Sequence, residues 1–385
     1  MSLLAERLME NSDKIKKGVE MLGQVCEILA ATVGQFNPIL EAVLNVSAEL
    51  LSNPEGKEAR FLAEQFVKVN QKLEKNKAEI TNAYLAMQRS SVNQLNFNYY
   101  ANINSQYEYF KYIFTAKPEN KKLKRDEFLI FFEELEGEKN LDCLYNAIMK
   151  TSGRTMLVII VETEQRSRRA VEEFCTSLKK LFVVGIISLM GYAALKRDTV
   201  DEEMGKKWLA RMEDVEKRMK AAVDECVNNF AEQAKTDIDE MLLDKQISVD
   251  PEFTKFLLEA LVKKYYWVSW SVRVFNDDDS IFGKFLFGKK HHINSGVDNY
   301  FEYLGGNKIR VVVSFTADPK PLDKIQIKDQ IEHEKGGVES LSKSFPNCLV
   351  HAINRCTKVE EANNFEPEHL YYISHKQAHI CIHSE

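Results

Sequence analysis

Along most of the chain the apolar positions recur at steps of three and four, the spacing of a helix with one buried face. Leu4, Leu8, Ile15, Leu22, Val25 and Leu29 predict a first helix from about Leu3 to Phe36. Asn37-Pro38 ends it, because the proline ring drives the residue before it out of helical geometry. Ile39 to Leu51 reads as a second helix, and Asn53-Pro54-Glu55-Gly56 as the turn that closes it. From Lys57 to about Arg89 the apolar residues Leu62, Phe66, Val69, Leu73, Ile80 and Met87 alternate steps of four and three. Asn76 and Ala83 fill the remaining positions of this heptad seam. Such a helix would reach about 50 Å.

The helical period continues through Val92–Thr115 and through two shorter segments, Arg125–Glu134 and Leu141–Met149. Thr151-Ser152-Gly153 opens a new unit. A single helix is predicted from Arg154 to Lys196 on Ile160, Val171, Phe174, Leu178 and Leu181. Thr199-Val200-Asp201-Glu202 fits a capping box, in which hydroxyl and carboxylate meet the free N–H groups of a helix start. The next helix runs to Leu243 with the stripe Trp208, Met212, Val215, Met219, Ala222 and Cys226. Residues 154–243 are thus expected to form a long antiparallel helical hairpin.

After Asp250-Pro251 the pattern changes. One more helix, Phe253–Val262, precedes residues that alternate with period two: Tyr266, Val268, Trp270, Val272 and Val274. Asn276-Asp277-Asp278-Asp279 reads as a turn and Gly305-Gly306-Asn307 as a hairpin turn. Ile309–Phe315, Leu349–Ile353 and Ile380–Ile382 read as further strands. The predicted fold class is therefore mainly α: an elongated helical bundle with long antiparallel hairpins over residues 1–249, and a small α+β domain over residues 250–385.

One segment breaks the amphipathic rule. Leu181, Phe182, Val183, Val184, Gly185, Ile186, Ile187, Ser188, Leu189, Met190, Gly191, Tyr192, Ala193, Ala194 and Leu195 carry no charge, between Lys179-Lys180 and Lys196-Arg197. A helix that is apolar all round must be buried, in protein or in lipid. Its length of roughly 22 Å falls short of the ~30 Å hydrocarbon core of a bilayer. Two readings stay open: a central core helix, or a membrane-insertable hairpin arm hidden in the soluble form. Gly185 and Gly191 permit a close helix contact or a bend. The charge-poor stretch Ile28–Leu51 reads first as an ordinary buried helix pair, with amphipathic membrane contact as the other reading.

Charge and composition narrow the function classes. A net charge of −6 argues against a general nucleic-acid binder, which is normally basic. Sixteen glycines and eight prolines are few for 385 residues and suit long helices. Seven scattered cysteines without close pairing suit a reducing compartment, and no secretory leader is visible, so a cytoplasmic protein is expected. All eight histidines lie beyond residue 290. On a strand His379, Cys381 and His383 would share a face, and imidazole with thiolate suits zinc. Three ligands on one strand rarely close a tetrahedral shell, however, and no metal or other cofactor is expected. A phosphate-cradling glycine loop, HExxH and GxSxG are all missing from the sequence, so catalytic residues are expected to be absent.

Two groups of residues resemble a known family. Asn37-Pro38-Ile39-Leu40, followed by Glu64-Gln65-Phe66, Val69-Asn70 and Lys72-Leu73, is similar to the rapunzel proteins of fishes. So are Cys175-Thr176, Leu178-Lys179, Leu181-Phe182, Gly185, Ile187 and the run Leu189 to Leu195. That family looks related to cephalotoxin-like proteins, whose helical region is similar in layout to α-helical pore-forming toxins such as cytolysin A. The resemblance supplies no catalytic residue. It implies a non-enzymatic protein with a role in development or tissue growth. Membrane lipids or further copies of the chain are then the expected partners, beside a protein partner that the residues do not specify.

Overall fold

The computed structural model describes residues 94–150, 154–197, 202–276, 292–333, 343–354, 358–375 and 378–384. The two predicted N-terminal helices, the Leu62–Met87 seam, most of the Thr199 capping box and most of the Asn276–Asp279 turn lie outside them. The chain divides into two compact units between Asn228 and Asn229.

Among the described residues of the first unit six α-helices follow one another: α1 Gln94–Thr115, α2 Lys121–Glu134, α3 Gly137–Met149, α4 Met156–Thr163, α5 Arg168–Arg197 and α6 Glu202–Asn228. Their buried residues keep the helical period. Tyr100, Ile103, Tyr107 and Phe110 line one face of α1, and Leu141, Leu144 and Ile148 one face of α3. Every member of the α6 stripe from Trp208 to Cys226 is buried in the same core. Helices α5 and α6 run antiparallel. Cys175 lies beside Cys226, Lys179 beside Glu216, and Phe182 has its ring 6.5 Å from that of Trp208.

The single helix expected over Arg154–Lys196 is two helices. Gln165 and Arg166 take φ values of 49° and 54°, which stop the helical ladder between α4 and α5. The freed carbonyls are reused locally: the Arg166 N–H donates to Val161 O at 2.8 Å and the Gln165 N–H to Glu162 O at 3.1 Å. Thr155 caps the start of α4 by accepting from the Val158 N–H. The helix expected to run on to Leu243 is also divided, at Asn229, after which α7 spans Phe230–Asp244.

The second unit is a stack of four layers. Among the described residues its strands are β1 Ser269–Asn276, β2 His292–Gly296, β3 Tyr300–Leu304, β4 Ile309–Thr316, β5 Cys348–Asn354, β6 Val359–Asn363, β7 Leu370–His375 and β8 Ala378–Ser384. They form two antiparallel sheets, ordered β3-β4-β1-β6 and β2-β5-β8-β7. One face of the first sheet, with Trp270, Val272, Val274, Val311 and Val313, packs on α7 and on α8, Pro251–Lys264. One face of the second, with Val350, Ala352, Ile380 and Ile382, packs on Ile327 and Ile331 of α9, Lys324–His333. The two remaining faces meet each other, where Phe275, Val312 and Ile353 form a small apolar patch.

The packing boundary at Asn228–Asn229 precedes the domain boundary expected at 249/250, because Phe230, Ala234 and Ile238 of α7 belong to the core of the sheet unit. Gly305 sits at the β3–β4 turn as expected, its N–H donating to Ile309 O at 2.7 Å.

Candidate functional site

The uncharged run from Leu181 to Leu195 forms the second half of α5. Leu181, Phe182, Val183, Val184, Ile186, Ile187, Leu189 and Leu195 are all buried, so the helix is enclosed on every side. The helix Arg168–Ala193 is long and apolar enough to cross a membrane by length and composition, and 94% of its most apolar window is buried within the protein. The two glycines mark where neighbouring helices come closest. A methyl group on Gly185 would lie 2.6 Å from Cδ2 of Leu141 on α3, and one on Gly191 would run into the Phe110 ring on α1. The Ser188 hydroxyl, also buried, is satisfied within the helix by donating to Val184 O at 2.9 Å.

The C-terminal end of the run is fastened to α2. The Arg125 guanidinium donates to Leu195 O at 2.9 Å, meeting a carbonyl that the helix end leaves free. Tyr192 stacks on Phe132 with ring centroids 4.5 Å apart and donates its hydroxyl to Glu133 at 2.6 Å. Lys196 pairs with the same carboxylate, and together they hold the Glu133 carboxyl below the usual carboxylate range. These contacts lie at the surface, in contrast to the buried wall of the run.

The terminal strand β8 places His379, Cys381 and His383 on one face, as period two requires. Their chemistry there is not that of a shared centre. His379 bonds Ser374 at 2.8 Å, and both ring nitrogens of His383 have protein partners. Burial pushes the Cys381 thiol up to about 11, which keeps it from the thiolate form that binds metal. Among the described residues no group of three His, Cys, Asp or Glu side chains is arranged to hold a metal ion.

The inner faces of the two sheets carry a polar cluster that the alternation did not single out. Ser271 and Arg273 on β1, Ser314 on β4, His351 on β5 and His383 on β8 are all buried. Period two marks which residues share a face. It does not show that a second sheet covers that face and buries its polar members.

The model of the cephalotoxin-like middle helical domain matches residues 52–247, half of the chain. The chain belongs to the cephalotoxin-like family. The protein rapunzel of Danio rerio is 25% identical over 222 residues, which cover 57% of this chain and 97% of that protein. No solved structure matches. In this cephalotoxin-like chain the family's helical region includes the whole Leu181–Leu195 run and α7, and it ends before the first strand. Strands β1 to β8 and all eight histidines of the chain lie beyond it.

Proposed function

We propose that this is a non-enzymatic, rapunzel-like protein of the cytoplasm that associates with membranes, or with further copies of itself, through the apolar second half of α5. One observation carries the reading. Fifteen consecutive uncharged residues, Leu181–Leu195, sit in a helix whose length and composition suit a bilayer, and basic pairs bracket them. Lysines and arginines at the ends of an apolar helix favour the headgroup level of a membrane. The close seat around Gly185 and Gly191 and the surface fastening at Tyr192 keep the run covered in the soluble state, so association requires its release. A role in development or tissue growth accompanies the family resemblance.

The test is vesicle co-sedimentation and dye leakage with the purified chain, on neutral and on anionic vesicles, at pH 7.5 and pH 5. An environment-sensitive fluorophore at position 192 is expected to shift to the blue when vesicles are added. The same probe at Lys255, whose side chain is 72% exposed on α8, is expected not to respond. Should the chain bind no vesicle under any of these conditions, the membrane reading fails. What then remains is a soluble interaction scaffold with α5 as permanent core.

A further inference from the structure

The interior of a two-sheet sandwich is ordinarily apolar on both inner faces. Here the patch of Phe275, Val312 and Ile353 is flanked by charge and imidazole. Arg273 is fully buried. Its Nη2 donates to Ser314 Oγ at 2.7 Å, while its Nε and Nη1 have no hydrogen-bond partner. Glu361 lies directly opposite Arg273 in the β1–β6 register, close enough for the guanidinium to offset part of the rise that burial imposes on its carboxyl. His383 crosses from one sheet to the other: its Nε2 lies 2.9 Å from Ser314 Oγ, and its Nδ1 lies 2.8 Å from Ser384 O. Ser314 Oγ already accepts from Arg273, so its own hydrogen goes to His383 Nε2. That network assigns the neutral imidazole protonated on Nδ1. His351 is enclosed with neither ring nitrogen bonded, its ring 5.5 Å from that of His292 and 6.0 Å from that of Phe275.

We propose that this polar layer is an acid-operated latch: protons taken up by His351 and His383 part the two sheets of the C-terminal unit, while the helical unit stays folded.

The groups facing His351 leave no place for a second cation. They are Arg273 on β1, His292 on β2, and Cys381 and His383 on β8, with Cys381 opposite it in register. Around Arg273 follow Glu361 on β6 and Tyr372 on β7. From β3, Glu302 is engaged with His292 and with Arg310 of β4. Protonating His383 at Nε2 replaces an acceptor by a donor against the Ser314 hydroxyl and sets a positive charge beside Arg273. Burial, then the nearby Arg273, His292 and His383, hold His351 well below the usual imidazole range. Burial chiefly brings His383 down to about 4.

Both imidazoles bind protons more readily once the unit opens. Stability is therefore full above about pH 7.5 and is lost as pH falls through the ordinary imidazole range toward the folded values. For His383 alone, about 4 folded against 6.5 free, the opening constant rises about 30-fold between pH 7.5 and pH 5. His351 adds in the same direction. Glu361, raised by burial and partly brought back by Arg273, acts in the opposite sense, one carboxyl against two imidazoles. In the helical unit no histidine exists, and Glu216, raised by burial, favours the folded state as pH falls.

Hydrogen exchange of the full chain without lipid, read by mass spectrometry at pH 7.5, 6 and 5 and corrected for intrinsic rates, tests the latch apart from any membrane role. Peptides of β5 and β8 are expected to open on the order of 30-fold more often at pH 5 than at pH 7.5, and reversibly. Peptides of α5 and α6 are expected to keep their protection. The double variant His351→Gln, His383→Gln is expected to lose the pH dependence, while His333→Gln, on the exposed end of α9, retains it. Protection of β5 and β8 that does not change with pH in the parent chain overturns the proposal, whether or not the double variant folds. So does an equal loosening of α5 and α6.

Discussion

A single methyl group shows how tightly α5 is seated. On Gly191 it would meet the Phe110 ring, which is buried between α1 and α5 and has no room to swing away. On Gly185 it would meet the end of Leu141, a side chain that can change rotamer. Gly191→Ala is therefore expected to destabilise by roughly 1–3 kcal/mol, as overpacking of a full core does, and Gly185→Ala by less. Urea unfolding of both variants checks the order, and equal midpoints would refute it. The glycines were legible in the sequence as points of close approach, but their partners were not, because Phe110 and Leu141 are remote in the chain. Arg273 and His351 were less legible still. On an alternating strand a polar residue signals the wet face, and only a second sheet laid over that face reverses the meaning.

Elements with a strong period were legible, and the breaks between them were not. The α6 stripe is buried throughout because three- and four-residue steps leave it one consistent face. The turn at Gln165–Arg166 carries neither glycine nor proline, so nothing in the residue types announces it. Its left-handed backbone is imposed by the packing of α4 and α5 on either side. For L-residues that conformation costs about 1–2 kcal/mol, and glycine adopts it freely. Gln165→Gly is thus expected to leave stability unchanged or raise it by up to about 1 kcal/mol, allowing for the entropy glycine adds to the unfolded chain. Ala170→Gly, within α5, is expected to lower it by about 1 kcal/mol. Thermal melts of the pair decide, and an equal loss at both positions would refute the account of the turn. Strands β2, β3, β6 and β7 went unseen for another reason. They run five or six residues, and His292-Ile293-Asn294-Ser295-Gly296 and Val359-Glu360-Glu361-Ala362-Asn363 have too few apolar positions to show any period.

For the whole molecule the question is how a helix so thoroughly covered could reach a bilayer. Each apolar side chain of the Leu181–Leu195 run is worth about 1.5–3 kcal/mol when withdrawn from water. Exposing eight of them together would cost about 12–24 kcal/mol, as much as or more than the ~5–15 kcal/mol that holds an ordinary domain folded. Release into water is therefore strongly disfavoured, and the proposed membrane route requires lipid to receive the run as the bundle lets it go. Loosening the seat should then speed transfer, whereas a charge within the run should block it. Gly191→Ala and Ile187→Asp separate these effects, because both disturb the same core. An unpaired carboxylate at Ile187, which is 1% exposed, destabilises the fold by several kcal/mol. It also adds about 2.5–3.5 kcal/mol to insertion at mid-helix. If α5 is the membrane element, Gly191→Ala binds vesicles faster than the parent and Ile187→Asp binds them less, although the aspartate variant is the looser protein. If a loosened core merely adheres to lipid, the aspartate variant binds at least as well as the alanine variant. Stopped-flow vesicle binding, with both variants matched in folded fraction by circular dichroism, reads the difference, and the second ordering would end the case for insertion through α5.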